Sequence, residues 1–177
     1  GMHARTFFVD RPVNIVDEGI DVAIRIGHLA DSGFTAIQVG SVRRVICAAP
    51  SYLEKYGVPA TPAELKHHRI VVSQSAWASP EWRFAEGQRV LVDPVLQSNT
   101  NESAIATARA GWGLTRVLSY QAGPSLQEGA LQIVLDAFEE PPLPIHVVYP
   151  EGRQAPAKVR AFVDLAVARL RGNPLFN

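Results

Sequence analysis

Arg11-Pro12-Val13-Asn14-Ile15-Val16-Asp17-Glu18-Gly19-Ile20-Asp21-Val22-Ala23-Ile24-Arg25-Ile26-Gly27 carries a short helix and then a strand. Pro12 sits where a helix opens, because its missing N–H would be unpaired there in any case. That helix is expected to run to about Glu18 and to stop at Gly19, a residue suited to the left-handed backbone beyond a helix end. From Asp21 to Ile26, the residues Val22, Ala23, Ile24 and Ile26 are apolar and nearly continuous, the pattern of a strand covered on both faces.

The same alternation extends outward in both directions. Thr6-Phe7-Phe8-Val9 reads as a short strand before the helix, since aromatic and β-branched residues fit a pleated surface. Gly27 to Phe34 reads as a loop and Arg44 to Ala48 as the next strand. Ser51 and Glu54 have capping-box spacing ahead of a short helix, Tyr52–Tyr56, that ends at Gly57. Thr61-Pro62-Ala63-Glu64 repeats the device. Further strands are expected at Ile70–Val72, Arg89–Val92, Leu131–Leu135 and Ile145–Tyr149. A helix is expected at Ser103–Ala110, with Ile105, Ala108 and Trp112 on one face. The last helix shows a single stripe of Val159, Phe162, Val163, Ala166 and Leu170, and Gly172 with Pro174 stops it. Strands alternating with helices predict an α/β protein with mainly parallel sheets.

The chain has 177 residues, 47% of them hydrophobic, with Lys+Arg 17 balanced by Asp+Glu 17. That length suffices for one large domain or two small lobes. A neutral chain has no overall basic footprint for nucleic acid and no general attraction to an anionic membrane. Cys47 is the single cysteine, so no intrachain disulfide can form, which suits a reducing, cytoplasmic setting. No apolar run is long enough to cross a bilayer, and Thr6–Val9 is too short for the apolar part of a signal peptide.

Several segments follow one another in a telling order: residues 11–27 above, Arg43 to Leu53, Glu81-Trp82-Arg83-Phe84, Ala110-Gly111-Trp112-Gly113-Leu114, and Val148-Tyr149-Pro150 followed by Lys158 to Asp164. In that order, over almost the whole chain, they resemble the effector-binding (substrate-binding) domain of LysR-type transcription regulators. The resemblance implies a two-lobe, type II periplasmic-binding-protein-like α/β fold with two crossing strands near Ala48-Ala49 and Ile145-His146. Residues 4–48 with 146–177 would then form regulatory lobe I, and residues 49–145 lobe II. It further implies a small-molecule effector between the lobes, with a preference for an anion, and self-association as a dimer or tetramer. Effector binding would modulate promoter DNA binding by a winged helix-turn-helix that this sequence lacks. The strand and helix that open the family's domain before the segment matching Thr6–Val9 are also expected to be missing. In the family fold this leaves a gap beside the strand at Val22–Ile26. Since an unsatisfied buried backbone group costs about 1–3 kcal/mol, either Thr6–Val9 shifts into the gap or another chain fills it.

Within that fold, Asn99-Thr100-Asn101 opens a helix facing the cleft, where free N–H groups and the helix dipole suit an anion. Plain capping is the alternative, as Asn and Thr are favoured caps. Arg25 and Gly27 end a strand where α/β proteins collect ligands; Arg25 either grips a carboxylate in a fork or pairs with Asp17 or Asp21. Ser73-Gln74-Ser75 offers polar groups near the same cleft, or an ordinary polar loop. Thr115 and Arg116 follow the Gly111–Leu114 turn and are candidates for the cleft opening. Trp82 is expected in the core, with Trp77 left open between core and ligand wall. Cys47 reads as a buried small residue.

No catalytic residue, metal ligand or cofactor is expected. His67 and His68 diverge by about 100° on a helix, and HExxH, CxxC, GxSxG and phosphate-loop patterns are absent. Two other readings are a periplasmic solute-binding protein of the same fold and an α/β enzyme of unrecognised type. A signal peptide upstream would favour the first, and a nucleophile–base pair in a polar cleft the second.

Overall fold

The structure is a computed structural model that describes residues 3–9, 13–29, 33–74, 79–150 and 156–176. Two compact units divide the chain, Gly1–Val42 with Leu143–Asn177, and Arg43–Pro142. The divisions fall at Val42/Arg43 and Pro142/Leu143, so the whole strand beginning at Arg44 belongs to the second unit.

Along the chain, the first unit starts with β1 (Ala23–Ile26) and β2 (Phe34–Val42). The second unit follows as β3 (Arg44–Ala48), α1 (Pro50–Tyr56), a 3-10 turn at Pro62–His67, β4 (Ile70–Ser73), β5 (Glu81–Arg83), β6 (Arg89–Leu91) and β7 (Pro94–Ser98). It continues with α2 (Asn101–Arg109), β8 (Leu114–Leu118), α3 (Ser119–Gln127) and β9 (Gln132–Val134). Finally β10 (Leu143–Pro150) and α4 (Ala157–Arg171) complete the first unit.

In the first unit, β10 lies between β1 and β2 and runs antiparallel to both. Val147 and Val148 are both buried; successive strand residues face opposite ways, so this central strand is covered on two sides. The predicted stripe of α4 is its inner face, with Val159 and Val163 buried. Each neighbouring pair in this sheet is nonetheless antiparallel, because β10 returns from the long excursion through the second unit to run between β1 and β2 against both.

Three expectations fail in this unit. Thr6–Val9 is in no sheet and is exposed, Phe8 at 92%; its β propensity has no ladder to join, and propensity without pairing does not make a strand. It therefore does not shift into the space beside β1, which has no second strand neighbour among the described residues. The expected helix before Gly19 is a run of turns over Ile15–Gly19. Asn14 explains this, since its Oδ1 accepts from the Val16 and Asp17 N–H groups at 3.1 and 3.3 Å, a local alternative to helical bonding. Gly19 still has φ +65°. Pro12 lies outside the described residues. β2 also begins at the residue where the expected loop ends.

The five-stranded sheet of the second unit has the order β7-β4-β8-β3-β9. Its first three strands are parallel, and β3 and β9 are antiparallel to their neighbours. One face packs Ile46, Ile70 and Leu114 with Tyr52, Trp82 and Val134. The other packs Val45, Cys47 and Val117 with Ala108 of α2 and Ala122 of α3. Trp82 is core, as expected. α1 has Ala49 as its N-cap and Pro50 in its first turn, without a side-chain cap bond. Ser51 is thus inside the helix, not capping it. Trp112 lies beyond α2 and is 56% exposed, because Gly111 at φ +78° has already turned the chain. Next to it, a Cβ on Gly113 would overlap the Arg69 carbonyl, which accepts from the Leu114 N–H at 2.9 Å. Only glycine permits that approach, and it sets the start of β8.

Candidate functional site

β4 and β7 run parallel with Ser73 opposite Ser98, so both strands end at one level. The chain leaves β7 and enters α2 within three residues, putting a helix N-terminus at the carboxyl edge of the parallel strands. In open α/β sheets this edge is where ligands sit. Thr100 is the N-cap: its extended backbone precedes the helix, and its Oγ1 accepts from the Ser103 N–H at 3.2 Å. The Ala104 N–H goes to the Thr100 carbonyl at 3.3 Å, and Ser98 Oγ donates to the same carbonyl at 2.9 Å.

Asn101, the first helical residue, is 7% exposed, and Ser73 is 9% exposed. Ser73 Oγ donates to Asn101 Oδ1 at 2.5 Å, tying the strand end to the helix start. The adjoining Gln74 N–H goes to the Ser98 carbonyl at 2.6 Å, and Gln74 Nε2 donates to Gln97 Oε1 at 3.0 Å. Asn99 is exposed. The N–H groups of Asn101 and Glu102 find no acceptor among the described residues. With the positive end of the helix dipole they form a donor pair suited to a carboxylate or another small anion.

Ser73, Gln74, Thr100 and Asn101 are therefore brought together by direct bonds and by one helix start. Thr115 is placed differently. It is 0% exposed, on the sheet face covered by α2, opposite Cys47 and Val71 on the neighbouring strands. It does not reach an opening, and its Oγ1 has no hydrogen-bond partner among the described residues. Cys47 shares this buried layer, and burial pushes its thiol up to about 12, so it is no nucleophile. Ser75 and Trp77 lie outside the described residues.

Arg25 and Gly27 belong to the first unit. Arg25 lies opposite His146, and its Nη2 donates to the Val13 carbonyl, not to Asp17 or Asp21. Gly27, at φ +114°, donates its N–H to the Pro144 carbonyl at 2.9 Å. The His146 ring has a buried Nδ1 without a partner among the described residues. Burial, with a smaller contribution from His28, lowers its pKa.

Sequence reasoning missed Ser98, whose hydroxyl braces the helix start. No local pattern marked it, since Val95, Leu96, Gln97 and Ser98 do not alternate apolar and polar residues. Among the described residues no group of three or more His, Cys, Asp or Glu is arranged to hold a metal ion. No helix among them is long and apolar enough to cross a membrane.

The chain is similar to known proteins in sequence and in fold. The family model described as LysR substrate binding domain matches residues 3–171. An HTH-type transcriptional regulator of Haemophilus influenzae is 32% identical over 161 residues, covering 89% of this chain and 56% of that relative. The structure of the CrgA regulatory domain, a LysR-type transcriptional regulator from Neisseria meningitidis, aligns with a TM-score of 0.76 at 25% identity over 88% of this chain and 78% of that one. The full-length Vibrio cholerae virulence activator AphB aligns with a TM-score of 0.82 at 22% identity over 95% of this chain and 58% of that one, a likeness of fold. The chain spans about half the length of the curated relatives it matches.

Proposed function

This chain belongs to the LysR substrate binding domain family, and from that premise we propose that it is the effector-sensing part of a bacterial transcription regulator. It binds a small molecule and does no chemistry on it. The observation that carries this reading is the start of α2, where the Ser73–Asn101 bond fixes a helix N-terminus with two free N–H groups at the carboxyl edge of parallel strands. That donor set favours a small anion, a carboxylate first of all.

In the whole regulator, effector binding would favour one arrangement of a dimer or tetramer and so alter how separate DNA-binding domains engage a promoter. The coupling requires only that the effector bind one arrangement better than the other. A cytoplasmic location follows from that role. The relatives' names as transcription regulators support it.

The test is a thermal-shift screen of small carboxylates and matched neutral analogues. A ligand at a hundredfold excess over its Kd stabilises by about 2.7 kcal/mol, which is a Tm rise of about 5–10 °C for a domain of this size. Hits among carboxylates that vanish in Asn101→Ala are expected. Hits only among neutral compounds would refute the anion assignment, and an Asn101→Ala variant that loses no carboxylate hit would refute its place at the helix start.

A further inference from the structure

On β8, Thr115 and Arg116 are consecutive and so face opposite sides of the sheet. Thr115 lies under α2, whereas Arg116 faces the layer that holds Trp82. Its guanidinium sits over the Trp82 ring at 5.1 Å from the centroid, and its Nη1 donates to the Arg83 carbonyl at 3.2 Å. Beside it opens a narrow recess lined by Arg44, Arg83, Glu139 and Glu140 over Ile46 and Leu135. Leu135 holds φ +58°, a backbone state that branched residues rarely adopt and that concentrates at functional sites.

The charges around this recess do not balance at Arg116. Arg44 is paired with Glu140 at 2.8 Å, Arg43 takes Glu139 at 2.8 Å, and Arg83 approaches Glu81 at 3.6 Å. Among the described residues no carboxylate comes within ion-pair distance of Arg116, a half-buried cation. Burial, and then the neighbouring Arg44, push its pKa down to about 10 against an opposing pull from Glu140, so it is still charged at neutral pH. One of its five N–H donors is used. A half-buried guanidinium with an open edge and no direct ion pair attracts an anion.

We propose that this recess is a second small-ligand site, which takes the carboxylate end of a small molecule on the paired N–H groups of Arg116. The planar fork of arginine matches a planar carboxylate, and Trp82 holds the fork flat from behind. The site is on the opposite sheet face from the start of α2 and does not depend on the reading of that helix end.

Acetate titrated into the ¹⁵N-labelled 177-residue chain tests the proposal, with sodium chloride and sodium sulfate as ionic-strength controls. The signals to follow are the Trp82 indole N–H and the Arg116 Nε–H. Acetate is expected to shift both saturably, and the two control salts are not. Arg116→Gln is expected to weaken acetate binding about tenfold or more, the cost of losing a charge-assisted pair. Arg116→Lys keeps the charge without the fork and is expected to weaken it by less, which gives a reading should the glutamine variant fail to fold. Asn101→Ala is expected to leave the response intact, separating this site from the helix end. Saturable binding of sulfate equal to that of acetate overturns the carboxylate assignment. Shifts that match chloride, or that survive both Arg116 variants, overturn the site.

Discussion

Thr115→Val exchanges a hydroxyl for a methyl at a position that is 0% exposed and whose Oγ1 has no partner among the described residues. A buried hydroxyl without a hydrogen bond costs about 1–3 kcal/mol, and valine removes that cost. The extra methyl buries apolar area worth about 0.8 kcal/mol. It enters a layer already filled by Cys47, Ala108 and Ala122, all at 0% exposure, and mild crowding cancels much of that gain. The net expectation is a stabilisation of about 1–3 kcal/mol. At roughly 2–4 °C per kcal/mol for a domain of this size, Tm rises by about 2–12 °C. Urea unfolding followed by far-UV circular dichroism is the assay, and an unchanged slope is needed for the midpoint to report stability. Thr115→Ala, which opens a cavity at the same place, should destabilise instead. A valine variant less stable than the parent by about 1 kcal/mol or more would refute the reasoning, because it would mean that the hydroxyl is bonded in the folded protein.

Asn101→Ala strands the Ser73 hydroxyl without its acceptor and should cost about 1–3 kcal/mol by urea unfolding, together with its effect on carboxylate hits. Gly113→Ala drives a methyl into the Arg69 carbonyl and should cost about 1–3 kcal/mol, seen as a lower Tm. Burial is the main cause lowering the pKa of both His68 and His146. The unfolded chain therefore takes up protons that the folded one refuses, and this stability is present above the ordinary histidine value of 6.5 and lost as pH falls below it. The urea midpoint should drop between about pH 7.5 and pH 5.5, and the drop should shrink in His146→Gln; an unchanged drop would remove His146 from the account.

The most regular periodicities were legible in advance. The stripe of α4, the apolar runs of β3 and β4, and the Gly57 and Gly111 stops all follow from local chemistry. What escaped were features set by distant partners. Phe34–Val42 became a strand because β10 returns to pair with it, and no local sequence signals that return. Thr6–Val9 had the right composition and no neighbour. Leu114–Leu118 was not read as a strand, since Gly111 and Gly113 marked only the turn before it, and the second glycine serves the close approach to Arg69. At the site, Asn101 and Thr100 were legible as cap residues, and the Ser73–Asn101 bond required two strand ends to meet. Thr115 and Arg116 were legible as polar residues, but not the faces they occupy, since facing depends on strand register.

The insertion of β10 between β1 and β2 also has a consequence for biosynthesis. The second unit is one uninterrupted stretch, Arg43–Pro142, so it can assemble as soon as it leaves the ribosome. The first unit cannot, because the centre of its sheet is made only after that stretch is complete. At about 5–20 residues per second, β1 and β2 wait roughly 5–20 s with their inward edges open. During that interval they present two bare ladder edges to any neighbouring chain. A slower ribosome through residues 43–142 would lengthen this exposure, so the yield of folded protein should respond to codon speed there more than in the stretch that follows.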